Sequence, residues 1–263
     1  GDQPIIAKIE HPVALKNLGE ILAEVWGVMV ARGDLGVELG VQRVPALQKE
    51  IITAARKALK PVITATQMLE SMIENPFPTR AESSDVANAV WDGTDAVMLS
   101  AESATGKHPV EAVKWLAMIA GEADAHAANY IDPLPREIAK EMSERIDVNV
   151  AFSASRVAEA IGARWLVVFT EGGGVARLAT RLAGRTPVLG ATSDHRTARR
   201  LSLLRGVTPL LIPRLSSTDT MVEGVRELLQ NNQGLVKGDK VVMTMGLPLW
   251  KAGTTDTLKV LTI

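Results

Sequence analysis

Short apolar runs alternate with amphipathic stretches along the first half of the chain. Four runs, "PIIAKIE", "GVMVARGDLG", "KPVITATQML" and "DAVMLSAES", each break into polar or glycine-containing sequence. Residues 42–59 predict a helix with one buried face, because a single stripe carries Val44, Leu47, Ile51, Ala54, Ala55 and Ala58. Residues 109–128 predict another helix, with Pro109 in its first turn. Apolar strands that alternate with helices predict a parallel sheet covered by helices.

The alternation resumes after "YIDPLPREI" (130–138), whose two prolines and polar residues predict a linker. About five strands are predicted beyond it, in "RWLVVFT", "PVLGAT", "VTPLLI", "KVVMTMG" and "TLKVLTI". Helices are predicted over roughly 148–162, 175–183, 195–205 and 218–232. We therefore expect two domains, residues 1–132 and residues 133–263, the second being a smaller α/β domain.

Composition and charge narrow the class of protein. The chain has 263 residues, of which 46% are hydrophobic and 22% are charged, as in ordinary globular proteins. A formal net charge of -1 argues against a nucleic-acid partner or an acidic membrane surface, and no apolar run is long enough to span a membrane. The absence of cysteine excludes disulfides and thiolate metal sites, and with no signal-like start the expected location is the cytoplasm.

Polar residues gather where the first four predicted strands end. Ligands of parallel α/β folds bind at the carboxyl ends of the strands. Lys8 and Glu10 interrupt the first apolar run two positions apart, so their side chains point the same way. Polar residues also simply mark strand ends, but charges inside an apolar run need a partner or a metal. The other three ends carry Arg32, Gly33 and Asp34, then Thr66 and Gln67, then Ser100, Glu102 and Ser103.

The residue types at the first two strand ends suit a hard divalent cation. Mg²⁺ is typically held by one or two carboxylates, here Glu10 and Asp34, together with water and substrate oxygens. Lys8 would then neutralise charge on a transferring group or polarise a carbonyl. The motif "ARGDLG" suits close backbone contact with a ligand, because Gly33 and Gly36 permit unusual dihedral angles. A plain glycine turn after a strand would give the same motif.

Longer motifs resemble pyruvate kinase. "ATQMLESM", "PTRAE", "SDVANAV" and "DAVMLS" follow one another in the family's order, and "AFSASRVAEAIGARWLVVFTEGGG" and "KAGTTDTLKVLTI" resemble its carboxyl-terminal domain. The implied fold is half of a (β/α)8 TIM barrel, comprising its last four strands, followed by an α/β domain. The family's front half-barrel and lid have no counterpart, and four strands cannot close a barrel. We therefore expect a fragment, a half-barrel that pairs with another chain, or a domain with an open sheet.

The resemblance implies a reaction and a role for each matched residue. Pyruvate kinases transfer a phosphoryl group from phosphoenolpyruvate to ADP in glycolysis, giving pyruvate and ATP. Lys8 matches the family's catalytic lysine, and Glu10 and Asp34 match the ligands of the divalent cation, Mg²⁺ or Mn²⁺. The backbone amides of Gly33 and Asp34 match those that receive the substrate carboxylate, and Thr66 matches a hydroxyl in the path of proton delivery to the enolate. K⁺ is also implied, but its family ligands are not on this chain.

The loop after "VVFT" departs from the family. Regulated members hold a sugar phosphate there with hydroxyl and basic side chains, whereas Glu171 opposes an anion here. A candidate effector loop remains, because amides at a helix N-terminus bind anions. Its residues are Thr170, Gly172, Gly173 and Gly174. A stripe on the next helix, expected to be solvated or to flank a phosphate, consists of Arg177, Arg181 and Arg185.

Three functions stay open on the sequence alone. The first is pyruvate kinase, with part of the active site on this chain and little turnover by the chain alone. The second is a metal-dependent aldolase of oxo acids, against which "PTRAE" and "SDVANAV" argue. The third is a catalytically inactive oligomerisation or regulatory piece. Because a half-barrel leaves two bare sheet edges, we expect a homo-oligomer, a tetramer in the family, or association with the missing front half.

Overall fold

The chain divides into two compact units, Gly1–Asp132 and Pro133–Ile263. The computed structural model describes residues 3–127, 130, 144–182, 186–214, 217–232, 234–248, 251 and 253–263. The predicted linker at 130–138 lies outside the described residues, apart from Tyr130. Within the described ranges, no helix is both long enough and apolar enough to cross a bilayer.

A four-stranded parallel sheet forms the centre of the first unit. Its strands, in the order in which they lie, are β1 Ile6–Ile9, β2 Gly27–Ala31, β3 Val62–Ala65 and β4 Ala96–Met98. The predicted parallel sheet of four strands is thus confirmed. Among the described residues β1 pairs only with β2 and β4 only with β3, so the sheet is open and has two edges.

Helices follow each strand of the first unit. The predicted helix at 42–59 consists of a 3₁₀ turn, Val41–Arg43, and an α-helix that begins at Val44, and the second predicted helix begins at Pro109 as expected. A second 3₁₀ turn covers Glu70–Ile73. The α-helices are α1 Pro12–Lys16, α2 Leu18–Glu24, α3 Arg32–Leu39, α4 Val44–Lys57, α5 Arg80–Trp91, α6 Ala101–Ala104 and α7 Pro109–His126.

Helix α3 begins directly where β2 ends, which corrects the expectation for "ARGDLG". Gly33 and Gly36 permit unusual dihedral angles, but both are helical here and neither has a positive φ. A Cβ at Gly36 would lie 3.3 Å from Cγ1 of Val41, a tight contact that a small shift of Val41 would have to relieve. The motif therefore builds a short helix whose first turn stands at the end of the sheet.

The sheet of the first unit is held by aliphatic packing against α2 and α4. Fully burying one such side chain contributes about 1.5–3 kcal/mol. The buried residues of this cluster are Ile9, Leu18, Leu22, Val28, Val30, Leu35, Ile51, Ile52, Ala55 and Val62. A second cluster joins the loop after β3 to α5 and α7 through Met68, Leu69, Met72, Val86, Ala89 and Ala112. Both clusters fix the strand ends from which the polar side chains project.

The second unit is a five-stranded mixed sheet, which confirms the predicted α/β domain. Its spatial order is β7–β6–β5–β8–β9, and β9 alone pairs antiparallel. The strands are β5 Trp165–Phe169, β6 Val188–Thr192, β7 Val207–Leu211, β8 Lys240–Gly246 and β9 Thr255–Thr262. Its helices are α8 Ile146–Ala160, α9 Gly174–Leu182, α10 His195–Leu201 and α11 Thr218–Asn232.

Candidate active site

Lys8, Glu10 and Asp34 converge at one edge of the first sheet. Lys8 lies on β1, Glu10 follows the last residue of that strand, and Asp34 stands in the first turn of α3. The parallel register pairs Lys8 with Met29, which brings the ends of β1 and β2 together. Nζ of Lys8 lies 2.6 Å from Oε2 of Glu10 and 3.7 Å from Oδ2 of Asp34. The three charged groups predicted from the strand ends therefore form one cluster.

The cluster is accessible to solvent and places an ammonium group beside two carboxylates. The side chains of Lys8, Glu10 and Asp34 are 55%, 42% and 56% exposed, respectively. A hydrogen bond to Glu10 and the charge of that carboxylate raise the pKa of Lys8. The same hydrogen bond from Lys8 lowers the pKa of Glu10. Both side chains are accordingly charged at neutral pH.

The oxygen atoms of this cluster fit a hard divalent cation. Oε2 of Glu10 is shielded from solvent and is paired with the Lys8 ammonium at 2.6 Å. Within the described parts of the chain, no three acidic or histidine side chains group closely enough to hold a metal by themselves. Mg²⁺ and its analogues commonly need only one or two protein carboxylates, with water and substrate filling the shell. Glu10 and Asp34 meet that requirement.

Thr66 joins the end of β3 to the first turn of α3. Its Oγ1 accepts a 2.8 Å hydrogen bond from the main-chain N–H of Gly33 and donates to the carbonyl of Ala65 at 2.7 Å. Helix α3 has no side-chain cap from its own N-cap residue, so Thr66 satisfies one of the amides left open in its first turn. The structure thus brings the predicted residues Gly33 and Thr66 into direct contact.

Thr66 and Gln67 adopt an uncommon backbone conformation. Their φ angles are 67° and 53°, in the left-handed region. A β-branched residue is a clear outlier there, and each such residue costs about 1–3 kcal/mol. The loop after β3 is therefore strained at the position that presents the Thr66 hydroxyl.

Arg32 is the main residue whose role the sequence pattern did not reveal. Its side chain is only 6% exposed. Its guanidinium donates to the carbonyl of Thr66 at 3.0 and 2.7 Å and to that of Gln67 at 2.9 Å. Nη1 also contacts Oδ2 of Asp85 at 2.6 Å. The only signal was an arginine directly after a buried strand, and the two carbonyls and the carboxylate that it contacts lie 34 to 53 positions away.

The polar residues at the end of β4 make a different set of contacts. Glu102 is 2% exposed. Its Oε1 accepts from the N–H of Leu69 at 3.1 Å and its Oε2 from the N–H of Ser100 at 2.7 Å. Both oxygens are therefore engaged by the main chain, and the interpretation of this strand end as a structural feature fits Glu102.

A groove of about 690 Å³ lies beside the cluster, among α3, α4 and α5. Arg32, Gly33, Gln67 and Asp85 are among its lining residues. Lys8, Glu10 and Asp34 do not line it, and lie instead on an open surface. The charged cluster and the groove are thus neighbouring features that share the start of α3.

Each of the two units matches a domain of one known protein family. Residues 2–113 match the family "Pyruvate kinase, barrel domain", and residues 149–261 match "Pyruvate kinase, alpha/beta domain". The chain belongs to the pyruvate kinase family. Membership generally implies a divalent metal ion and K⁺ as cofactors.

The most similar relatives include several bacterial pyruvate kinases. "Pyruvate kinase 2" of Synechocystis is 45% identical over 257 residues, which are 98% of this chain and 42% of the relative. "Pyruvate kinase" of Thermotoga maritima is 43% identical over 262 residues, covering 99% and 54% of the two chains. That of Clostridium acetobutylicum is 41% identical, covering 97% and 54%. The chain thus spans about half the length of the pyruvate kinases that it matches.

In the candidate effector loop, a side-chain hydroxyl of the loop itself binds one of the main-chain amides. Oγ1 of Thr170 accepts a 2.9 Å hydrogen bond from the N–H of Gly173, whose φ is 81°. Oε1 of Glu171 is shielded and has no hydrogen-bond partner among the described residues. Arg181 is 8% exposed, so the expectation of a solvated stripe is wrong at that position. Arg185 lies outside the described residues.

Proposed function

We propose that this chain contributes the metal, phosphoryl and proton-delivery residues of a pyruvate kinase. The reaction transfers a phosphoryl group from phosphoenolpyruvate to ADP and gives pyruvate and ATP, a step of glycolysis. The observation that carries the proposal is the convergence of Lys8, Glu10 and Asp34 at the ends of two neighbouring parallel strands. Phosphoryl transfer depends mainly on positioning and charge neutralisation, and this cluster offers both.

Lys8 is the proposed catalytic cation. Its ammonium would contact the phosphoryl group in flight and neutralise charge on the oxygens of that group. The raised pKa of Lys8, which comes from its hydrogen bond with Glu10, keeps the ammonium protonated throughout the neutral range. Its 55% exposure leaves the ammonium open to a substrate.

Glu10 and Asp34 are the proposed ligands of Mg²⁺ or Mn²⁺. When bound, the cation supplies Lewis-acid stabilisation of charge on the enolate and phosphate oxygens. The lowered pKa of Glu10 favours this role, because a carboxylate that stays ionised does not have to lose a proton before it binds a metal. K⁺ would be held outside this chain, since its family ligands have no counterpart here.

The first turn of α3 is the proposed site for the substrate carboxylate. The N–H groups of Gly33 and Asp34 stand at a helix N-terminus, where the helix dipole favours an anion. Because the Gly33 N–H already donates to Thr66, the carboxylate would share or replace that hydroxyl. Thr66 would in turn be brought beside the enolate carbon, where its hydroxyl takes part in proton delivery.

The organisation of the chain supports proposals about its partners. The first domain is proposed to cover residues 1–132 and the second residues 133–263. Phosphoenolpyruvate and ADP are the proposed substrates, and the proposed location is the cytoplasm. The open edges of β1 and β4 favour a homo-oligomer, a tetramer as in the family, or pairing with a front half-barrel. Thr170 and Gly172 to Gly174 remain the proposed effector loop.

A fusion tests the proposal. The part of the Thermotoga maritima relative that this chain does not match would be joined ahead of residue 3, and pyruvate formation from phosphoenolpyruvate and ADP would be followed with Mg²⁺. We expect turnover in the fusion and its loss in Lys8→Met, while Lys16→Met, an exposed lysine on α1, behaves as the parent. A folded, Mn²⁺-binding fusion without phosphoryl transfer would contradict the proposal. Cleavage of oxo acids by the same fusion would instead favour the aldolase.

A further inference from the structure

We infer that Arg32 and Glu102 are positioning residues for Thr66. Two buried side chains of opposite charge hold the segment Thr66–Leu69 from its two sides and so fix the Thr66 hydroxyl against α3. The inference rests on the proposed function only for what that hydroxyl does. The restraint on the segment is inferred from hydrogen bonds to its main chain and does not depend on the proposed function.

The segment needs to be held because its backbone is strained. Thr66 and Gln67 both have φ angles in the left-handed region, 67° and 53°. Non-glycine residues persist in this conformation only when the surrounding structure over-determines it. The Gln67 side chain is exposed, so the restraint on that residue comes through the main chain.

Arg32 supplies the restraint on the first half of the segment. Three N–H···O contacts join its guanidinium to the consecutive carbonyls of Thr66 and Gln67, at 2.7 to 3.0 Å. Burying the guanidinium requires a partner, and Asp85 provides one at 2.6 Å, with Gln48 at 3.3 Å. The planar fork matches two neighbouring carbonyls, a pattern that a lysine cannot reproduce.

Glu102 supplies the restraint on the other half. Its Oε1 accepts from the N–H of Leu69, while its Oε2 accepts from the N–H of Ser100. The carboxylate thereby ties the segment to the loop after β4. The turn that follows α6 packs closely against that helix, because a Cβ at Gly106 would lie 2.6 Å from the Glu102 carbonyl oxygen. Restraints thus reach the segment from both neighbouring strand ends, β2 on one side and β4 on the other.

The consequence falls on the Thr66 hydroxyl. The hydroxyl accepts a hydrogen bond from the N–H of Gly33 and donates one to the carbonyl of Ala65, so its position depends on the backbone angles of Thr66. Relaxation of that residue to a right-handed conformation would turn its side chain away from α3. Arg32 and Glu102 therefore act through Thr66 and do not need to touch a substrate.

Nuclear magnetic resonance of this chain tests the restraint without any assay of activity. Arg32→Lys keeps a cation but loses the fork, and Glu102→Gln keeps the shape but only one acceptor oxygen. We expect amide exchange to accelerate by about tenfold or more at Gly33 in Arg32→Lys and at Leu69 in Glu102→Gln. The Thr66 Cα resonance should move in both variants. The control is Lys107→Gln, which breaks an exposed ion pair with Glu74 near the same loop.

A purely structural role predicts a different pattern, in which exchange accelerates equally along β3. Unchanged exchange at Leu69 and an unmoved Thr66 resonance in Glu102→Gln would overturn the inference, and this variant decides alone if Arg32→Lys does not fold. In the fusion described above, we expect Arg32→Lys to lower kcat by about 10- to 100-fold, with KM for phosphoenolpyruvate little changed. A responsive Thr66 resonance with unchanged kcat would overturn the positioning role. A responsive resonance in a fusion that never transfers phosphate would refute the proposed function and leave the restraint standing.

Discussion

Nζ of Lys8 lies 2.6 Å from Oε2 of Glu10, in an ion pair whose two side chains are 55% and 42% exposed. Exposed pairs of this kind add little to folding stability, because water and salt screen them. The pair is therefore better explained by chemistry than by stability. It keeps an ammonium and a carboxylate charged side by side, next to a second carboxylate from Asp34.

The first prediction concerns the electrostatics of this pair. Replacing Lys8 with methionine removes the hydrogen bond that lowers the pKa of Glu10, so that pKa should rise toward its ordinary value of 4.5. The thermal midpoint should change little, because the pair is exposed. Carboxyl titration by nuclear magnetic resonance measures the shift, with Lys16→Met as the control. An unmoved Glu10 titration in a folded Lys8→Met variant would show that the two groups are not coupled.

The second prediction is a dependence of stability on pH at Glu82. Burial opposes its ionisation, but hydrogen bonds from Ser71 and Thr79 outweigh burial and lower its pKa. Its contribution is thus fully present above the unfolded value of 4.5 and is lost as the pH falls through the folded value. Glu82→Gln should lower stability at neutral pH by roughly 1 kcal/mol, because its hydrogen bonds are weakened, and should flatten the decline in stability below pH 4.5.

Thermal or denaturant unfolding across this pH range measures the effect. Glu50→Gln is the matched control, because Glu50 is exposed on α4 and lies outside the hydrogen bonds described for the α5 N-terminus. If the free energy of unfolding fell equally with pH in Glu82→Gln and in the parent, Glu82 would not be the cause of the decline.

The third prediction concerns backbone strain at Gln67. Since its φ is 53° and its side chain is exposed, glycine should be tolerated there or should stabilise the protein slightly. Valine should destabilise it by about 1–2 kcal/mol, because a β-branched side chain is disfavoured at this angle. Gln42 is the control position, because it lies in a 3₁₀ turn without a positive φ. There the order of the two substitutions should reverse, so that Gln42→Gly is more destabilising than Gln42→Val. Denaturant unfolding of the four variants decides the matter, and a Gln67→Gly variant as unstable as Gln67→Val would exclude strain.

The fourth prediction is that the isolated chain turns over slowly. Lys8 and Asp34 are both more than half exposed, whereas efficient phosphoryl transfer needs water excluded from charged groups. We expect the rate of pyruvate formation by the 263-residue chain to be at least about 100-fold below that of the fusion. Robust turnover by the purified chain would show that no further segment is needed.

The sequence predicted those parts of the site that depend on local spacing. Lys8 lies on β1 and Glu10 directly follows that strand, two residues further on, so their meeting follows from the period of extended backbone. Asp34 follows the neighbouring strand, so its approach follows from parallel pairing. The apolar runs likewise predicted both sheets, because strands that are covered by helices are apolar throughout.

Features that depend on distant partners were not predictable in the same way. Arg32 binds carbonyls 34 and 35 positions away, and nothing in the pattern around it names those partners. The left-handed angle of Thr66 is imposed by these contacts against the preference of a β-branched residue. Helical angles at Gly33 and Gly36 were missed because glycine permits both a turn and a helix, and only packing decides between them.

Binding of Mn²⁺ to this chain, followed by electron paramagnetic resonance, tests the central claim most directly. The claim is that Glu10 and Asp34 hold one divalent cation beside Lys8. We expect Asp34→Asn and Glu10→Gln each to weaken binding by about tenfold or more, while Glu38→Gln, an exposed acid on the same helix as Asp34, binds as the parent. Equal affinity for Mn²⁺ in folded Asp34→Asn and in the parent chain would contradict the claim.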